Sequence, residues 1–259
     1  MNEEKYIIYE QPVAENIRNF LKCEYIYEKY YSSFLKQDLW DIKSCLASII
    51  EISDFTLRIN LKVELLKELE KTILFLNFLK DSNLISLSVF DENITNVRNS
   101  INELNEIQSN PSKTVVDNDF LMLIKSKLQL PAGDNFFDMP SYLNFLSSQK
   151  SFIINSIEGW FAPFNSLCNA SKVILKFKRK NADFRTFTSQ KSYFELKLDK
   201  NDKIDLLRLK LNNNINIFPD VSVNRQNINI IFKTAYGNNR LSKAIDENLE
   251  FELAISKII

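Results

Sequence analysis

The feature that most constrains this fold is a change, near position 180, in the spacing of apolar residues. Before that point they recur every three or four residues, the helical repeat. After it they alternate one by one, the strand repeat. The junction at 176–185 reads Lys-Phe-Lys-Arg-Lys-Asn-Ala-Asp-Phe-Arg, so the seam itself is basic. The switch predicts an α+β chain, with an N-terminal α-helical bundle domain over 1–181 and a C-terminal antiparallel β-strand domain over 182–259.

Within the first 180 residues the helical readings are specific. Pro12 suits a first helical turn, with Val13, Ile17, Phe20, Leu21 and Tyr25 on one face. Leu65, Leu66, Leu69, Ile73 and Leu76 form a second stripe, with Glu64, Lys67, Glu68 and Lys71 on its solvated side. Asp91 can cap a helix that turns Ile94, Val97, Ile101 and Leu104 inward, and Asp117 or Asn118 opens the next. Asp138 stands as a cap ahead of Pro140, with Leu143 and Leu146 inward. A long helix from Ser156 to Lys180, kinked or restarted at Pro163, buries Trp160, Phe164, Leu167, Ile174 and Leu175. Stripes with this spacing suit the core of an antiparallel bundle rather than a cofactor box.

Beyond Arg185 the alternation is plain: Phe194, Leu196 and Leu198; Leu207, Leu209 and Leu211; Ile228, Ile230 and Phe232; Leu249, Phe251, Leu253 and Ile255. One apolar face per strand predicts an antiparallel sheet covered on one side, against the helices or closed on itself. Asn212-Asn-Asn214 signals a turn.

Composition removes much chemistry. With no histidine there is no imidazole base, no histidine dyad and no histidine-ligated zinc. The three glycines, Gly133, Gly159 and Gly237, are too scattered for a phosphate-cradling loop. Cys23, Cys45 and Cys168 share no paired spacing and suit reduced, buried positions. No apolar run reaches membrane-spanning length and the first residues lack a signal-peptide layout, which predicts a cytoplasmic protein without a membrane partner. Thirty-three Lys plus Arg against thirty-three Asp plus Glu give a formal net charge of zero, so electrostatic recognition must be local. A cluster of cations at a junction without catalytic groups suggests binding of an acidic partner, not an enzyme.

Several strings occur together in order: Tyr9-Glu-Gln-Pro12 with Ile17-Arg-Asn-Phe-Leu-Lys-Cys-Glu24, Val63-Glu-Leu-Leu-Lys-Glu-Leu69, Lys127-Leu-Gln-Leu-Pro-Ala-Gly133 with Phe137-Asp-Met-Pro140, Phe184-Arg185 with Thr188-Ser189, Asp205-Leu-Leu-Arg-Leu209 and Leu249-Glu-Phe-Glu-Leu-Ala254. Their order and spacing resemble the ZapD family of bacterial cell division proteins over nearly the whole chain. The resemblance implies a homodimeric, non-enzymatic protein without a cofactor. It implies binding to the C-terminal tail of the tubulin-like GTPase FtsZ, cross-linking of FtsZ protofilaments, and a place at the midcell division ring. It also implies a basic pocket between the two domains. Matched position by position, the partner-binding candidates are Lys22, Arg58, Lys125, Lys127, Arg185, Arg208 and Arg225, with Phe184 as an apolar wall. Asp119, Leu143, Asn227 and Ile231 depart from expected basic or imidazole positions, and a Pro-Gly-Gly turn appears as Pro131-Ala-Gly133.

Two other readings follow from the residues. The basic seam with interleaved aromatics suggests a nucleic-acid binding module, which the neutral overall charge disfavours. Asp199, Asp202 and Asp205 suggest a cation site for a hydrolase, but intervening lysines make the segment read as a hairpin loop.

Overall fold

The computed structural model describes residues 6–135, 137–199, 203–212, 216–237 and 240–257. Two compact units make up the chain: residues up to Arg18 together with those from Leu175, and residues from Asn19 to Ile174. The division falls inside two helices, α1 (Glu15–Lys36) and α9 (Asn165–Lys180).

In the helical unit, α1 is followed by α2 (Leu39–Arg58), α3 (Leu61–Asp81), α4 (Leu87–Glu106), the single turn α5 (Lys113–Val116), α6 (Asp119–Leu128), α7 (Pro140–Leu146), α8 (Lys150–Phe161) and α9. Local chemistry sets their starts. Asp38, Asn60, Ser86 and Asn118 each accept the amide three residues on, that of Asp41, Val63, Val89 and Leu121 respectively. Asn118 is thus the cap expected for α6. Asp91 is not a cap, because Ser86 starts α4 a turn and a half earlier and nothing between them breaks the helix. Nor does Asp138 cap α7: it is held by Asn135, and α7 begins after Met139 with Pro140 in its first turn. Pro163 falls in a short 3-10 turn (Ala162–Phe164) between α8 and α9, the restart its missing N–H requires.

The buried faces follow the expected spacing with local shifts. On α1 Ile17 and Phe20 are buried as expected, together with Cys23, Ile26 and Tyr30, while Tyr25 is 64% exposed. Leu65, Leu69 and Leu76 are buried on α3, and so is Glu68, which the sequence places on the solvated side; Lys71 pairs with it at 3.2 Å. On α7, Tyr142 and Phe145 point inward instead of Leu143 and Leu146, because the rings meet Phe120 (Phe145 at 5.0 Å between centroids). Trp160 is half-buried in the same aromatic group. Tyr30 stacks on Phe161 at 3.7 Å. Among the described residues no helix is long and apolar enough to cross a membrane.

The strand unit holds β1 (Tyr6–Pro12), β2 (Arg185–Thr188), β3 (Tyr193–Lys197), β4 (Ile204–Asn212), β5 (Ile217–Val223), β6 (Asn227–Gly237), β7 (Arg240–Ala244) and β8 (Glu250–Lys257). They form two antiparallel sheets, ordered β1-β4-β8-β2 and β3-β6-β5, with β7 also on β6. Leu207, Leu209 and Leu211 of β4 and Phe251 and Leu253 of β8 share one core with Ile228, Ile230 and Phe232 of β6. The sheets therefore close on each other as a sandwich. Pro219 is tolerated because β5 is an edge strand.

β1 is the strand the helical reading of the first 180 residues omits. Tyr6-Ile7-Ile8-Tyr9 has strand-forming side chains, and it pairs along β4 from Tyr6↔Asn212 to Pro12↔Leu206. Pro12 therefore ends a strand and does not open a helix. A bulge between Ile204 and Leu206 leaves Asp205 as the extra residue of β4, and its carbonyl accepts the amides of Val13 (2.9 Å) and Ala14 (3.2 Å). Asn213 and Asn214 of the expected turn lie outside the described residues, as does Asp202.

Candidate partner-binding site

The helical unit contains a groove of about 530 Å³ between α1 and α2. From α1 come Lys22, Tyr25 and Ile26, spaced i, i+3, i+4. From α2 come Ala47, Ile50, Glu51, Asp54, Phe55 and Arg58, the same spacing continued over three turns. Ile26 and Ile50 of this row are buried and form the base, whereas Lys22 and Tyr25 are exposed at its edge. The floor is apolar and the rim is charged.

The charges are not balanced. Glu51 is taken by Lys29 at 3.0 Å, and Asp54 by Lys125 reaching across from α6. Lys22 and Arg58 make no ion pair among the described residues. Four cations thus face two carboxylates, and the two free cations stand at the groove itself. Arg58 also lines a second cavity of about 420 Å³, formed by the ends of α2 and α4 and the start of α3, with Asn60, Lys62, Gln108 and Asn110 as polar walls. Arg58, Lys125 and Lys127 all stand in last helical turns, where a cation also complements the helix dipole. Lys22, in mid-helix, lacks that second reason.

Lys127 lies at the end of α6, where its carbonyl accepts the amide of Leu130 at 2.9 Å and meets the backbone of Gly133. A methyl group on Gly133 would sit 1.8 Å from that oxygen, so glycine is required there. Ala132 takes φ 50°, the left-handed conformation that glycine adopts freely. The Pro131-Ala-Gly133 departure therefore keeps the glycine that packing demands and places alanine at the strained position.

In the strand unit, Phe184 and Arg208 come together on the face of the first sheet away from the sandwich core. The guanidinium of Arg208 is 5.1 Å from the Phe184 ring centroid, and Lys210 lies 5.6 Å from that ring and 4.4 Å from Tyr6. Arg208 is, however, held in place. Its Nη1 donates to the Arg179 carbonyl at 3.1 Å, and its Nε lies 3.2 Å from Glu10, which Arg179 grips with two nitrogens at 2.8 and 2.7 Å. Arg185 pairs with Leu253 and so points to the opposite face from Arg208, at the exposed edge strand β2. Arg225 is exposed in the β5–β6 turn, which Asn224 closes by accepting the amides of Gln226 and Asn227. Lys22, Arg58 and Lys125 thus gather around one groove, Phe184 and Arg208 form a second group, and Lys127, Arg185 and Arg225 stand singly in their units.

The basic seam is weaker than its sequence implies. Lys178 is buried against Asp205, and Arg179 is engaged by Glu10, so two of the seam's cations are taken up within the strand unit. Asp205 is in a strand and not in the loop that the sequence predicts. Among the described residues no cluster of three or more His, Cys, Asp or Glu could hold a metal ion. Ile50 and Phe55 were missed as groove residues; their helical spacing from Arg58 was the available signal.

The chain thus has a helical unit that carries a cation-rimmed apolar groove and a two-sheet strand unit. The family model described as "ZapD: Cell division protein" matches residues 21–231. The chain is 24% identical over 252 residues to Cell division protein ZapD of Nitrosomonas europaea, covering 97% of this chain and 95% of that one. It is 25% identical over 252 residues to the Nitrosomonas eutropha protein of the same name, covering 97% and 100%. Over 251 residues it is 24% identical to that of Chromobacterium violaceum, covering 97% and 99%. The chain belongs to the ZapD family of cell division proteins.

Proposed function

We propose that this protein binds the C-terminal tail peptide of FtsZ in the α1–α2 groove and, as a homodimer, cross-links FtsZ protofilaments to stabilise the division ring at midcell. It does so in the cytoplasm and without catalysis. The observation that carries this reading is the pair of uncompensated cations, Lys22 and Arg58, over an apolar floor in a member of a cell division family. A short tail bearing acidic and apolar residues needs both. An exposed ion pair contributes about 0–1 kcal/mol, whereas micromolar binding requires about 8 kcal/mol. Buried apolar anchors must therefore supply most of the affinity, with the cations setting orientation and encounter rate. Two grooves on a dimer engage two filaments, and repetition along each polymer raises avidity without new contacts.

Fluorescence anisotropy with a labelled FtsZ tail peptide tests the reading. Lys22→Glu and Arg58→Glu should each weaken binding at least about tenfold, a difference of about 1.4 kcal/mol. Wild-type binding should also weaken as salt is raised. Unchanged affinity in both folded variants would remove the groove from the account.

A further inference from the structure

We propose that Cys23 and Cys168 form an oxidative modification site that closes to an intramolecular disulfide on reaction with a hydroperoxide. The two thiols are 145 residues apart in sequence, yet their Sγ atoms are 3.7 Å apart in the interior of the helical unit, on α1 and α9. Closing to a bonded separation of about 2.05 Å brings the two sulfurs together by only about 1.7 Å. Either thiol can donate to the other while both are neutral. Once one proton leaves, Cys23 is the better acceptor: the Cys168 S–H, helped by the Ser171 hydroxyl and the Lys172 ammonium, holds the Cys23 thiol below its ordinary value in spite of burial. Cys168 is pushed the other way, by the same pairing and by burial. The roles are therefore unequal, Cys23 as attacking thiolate and Cys168 as resolving thiol.

The chemistry balances with hydrogen peroxide as oxidant. The Cys23 thiolate attacks one peroxide oxygen, forming an S–O bond and breaking the O–O bond, and hydroxide leaves. Sulfur has lost two electrons and is now a sulfenic acid. The Cys168 sulfur then attacks the Cys23 sulfur, the S–S bond forms, the S–O bond breaks, and the hydroxyl leaves as water with the Cys168 proton. Overall, two thiols and one peroxide give one disulfide and two waters. Both residues are fully buried, so the reaction waits on local opening or on entry of a molecule little larger than water. Cys45 is an internal contrast: it has no thiol neighbour, and burial pushes its thiol up to about 12.

The test treats the full chain with hydrogen peroxide, blocks remaining thiols under denaturing conditions, and maps the digest by mass spectrometry. The expected result is one cross-linked peptide pair containing Cys23 and Cys168, short by two hydrogen masses, with Cys45 still alkylated. Oxidation should raise Tm on the order of 5–10 °C, reversibly with dithiothreitol, because the bridge closes a long loop in the unfolded chain. Cys168→Ser should instead trap Cys23 as a dimedone-reactive sulfenic acid, and Cys23→Ser should leave Cys168 unoxidised. Three alkylated thiols in the treated wild type, a bridge that includes Cys45, or Cys23 carried to sulfinic acid while Cys168 stays free would each overturn the proposal. The wild-type digest decides the matter even if a serine variant fails to fold.

Discussion

At the scale of single residues, two pairs of positions are decided by forces the sequence pattern does not display. Gly133 is fixed by the Lys127 carbonyl, and Ala132 carries a left-handed backbone. Gly133→Ala should therefore lower stability by about 1–3 kcal/mol, the range for a forced local distortion, whereas Ala132→Gly should be neutral or stabilising by up to about 1 kcal/mol. Urea denaturation of the two variants checks the opposite signs. The Lys178–Asp205 pair is the other case. Both side chains are about 2% exposed and pair with each other. Asp205→Ala removes the carboxylate paired with a buried ammonium and should cost about 3–5 kcal/mol, read as a fall in the urea midpoint. A loss below about 1 kcal/mol would show that Lys178 finds water or another acceptor.

At the scale of elements, periodicity was informative where one face of a helix or strand meets the core. The stripes on α3 and β4 were legible because spacing alone encodes them, and the restart at Pro163 because a proline lacks the N–H a helix needs. The exceptions have local causes. Ser86 outcompetes Asp91 as a cap because it precedes an unbroken helical run. Aromatic contacts with Phe120 rotate α7 by one residue, so that Tyr142 and Phe145 face inward. β1 was illegible because a short strand is stabilised by a partner about 200 residues away, and Pro12 looks alike at the end of a strand and the start of a helix. β4 lies between β1 and β8 and feeds the shared sandwich core, so Leu209→Ala should cost about 2–5 kcal/mol, as loss of a buried leucine in a close-packed core does. Thermal melting of that variant measures it; a change below about 1 kcal/mol would mean the sheets repack around the cavity.

At the scale of the whole molecule, the candidate site was partly legible. Family resemblance pointed to Lys22, Arg58 and Lys125, but only coordinates show that Lys29 and Lys125 neutralise Glu51 and Asp54 and so leave Lys22 and Arg58 as the free charges. Electrostatic neutralisation between helices has no signature in the order of residues. Under the proposed function, Lys125 acts on binding through Asp54, its ion-pair partner. Lys125→Ala, which bares that carboxylate in the groove, should weaken tail binding by a few-fold, and Asp54→Asn in the same chain should restore it. The most direct measurement is sedimentation of GTP-assembled FtsZ filaments with the wild-type protein and with the Lys22→Glu, Arg58→Glu double variant, folded by circular dichroism. The account predicts that the wild type pellets with the filaments and bundles them while the double variant stays in the supernatant; equal pelleting of both, or bundling of filaments that lack the tail, would contradict it.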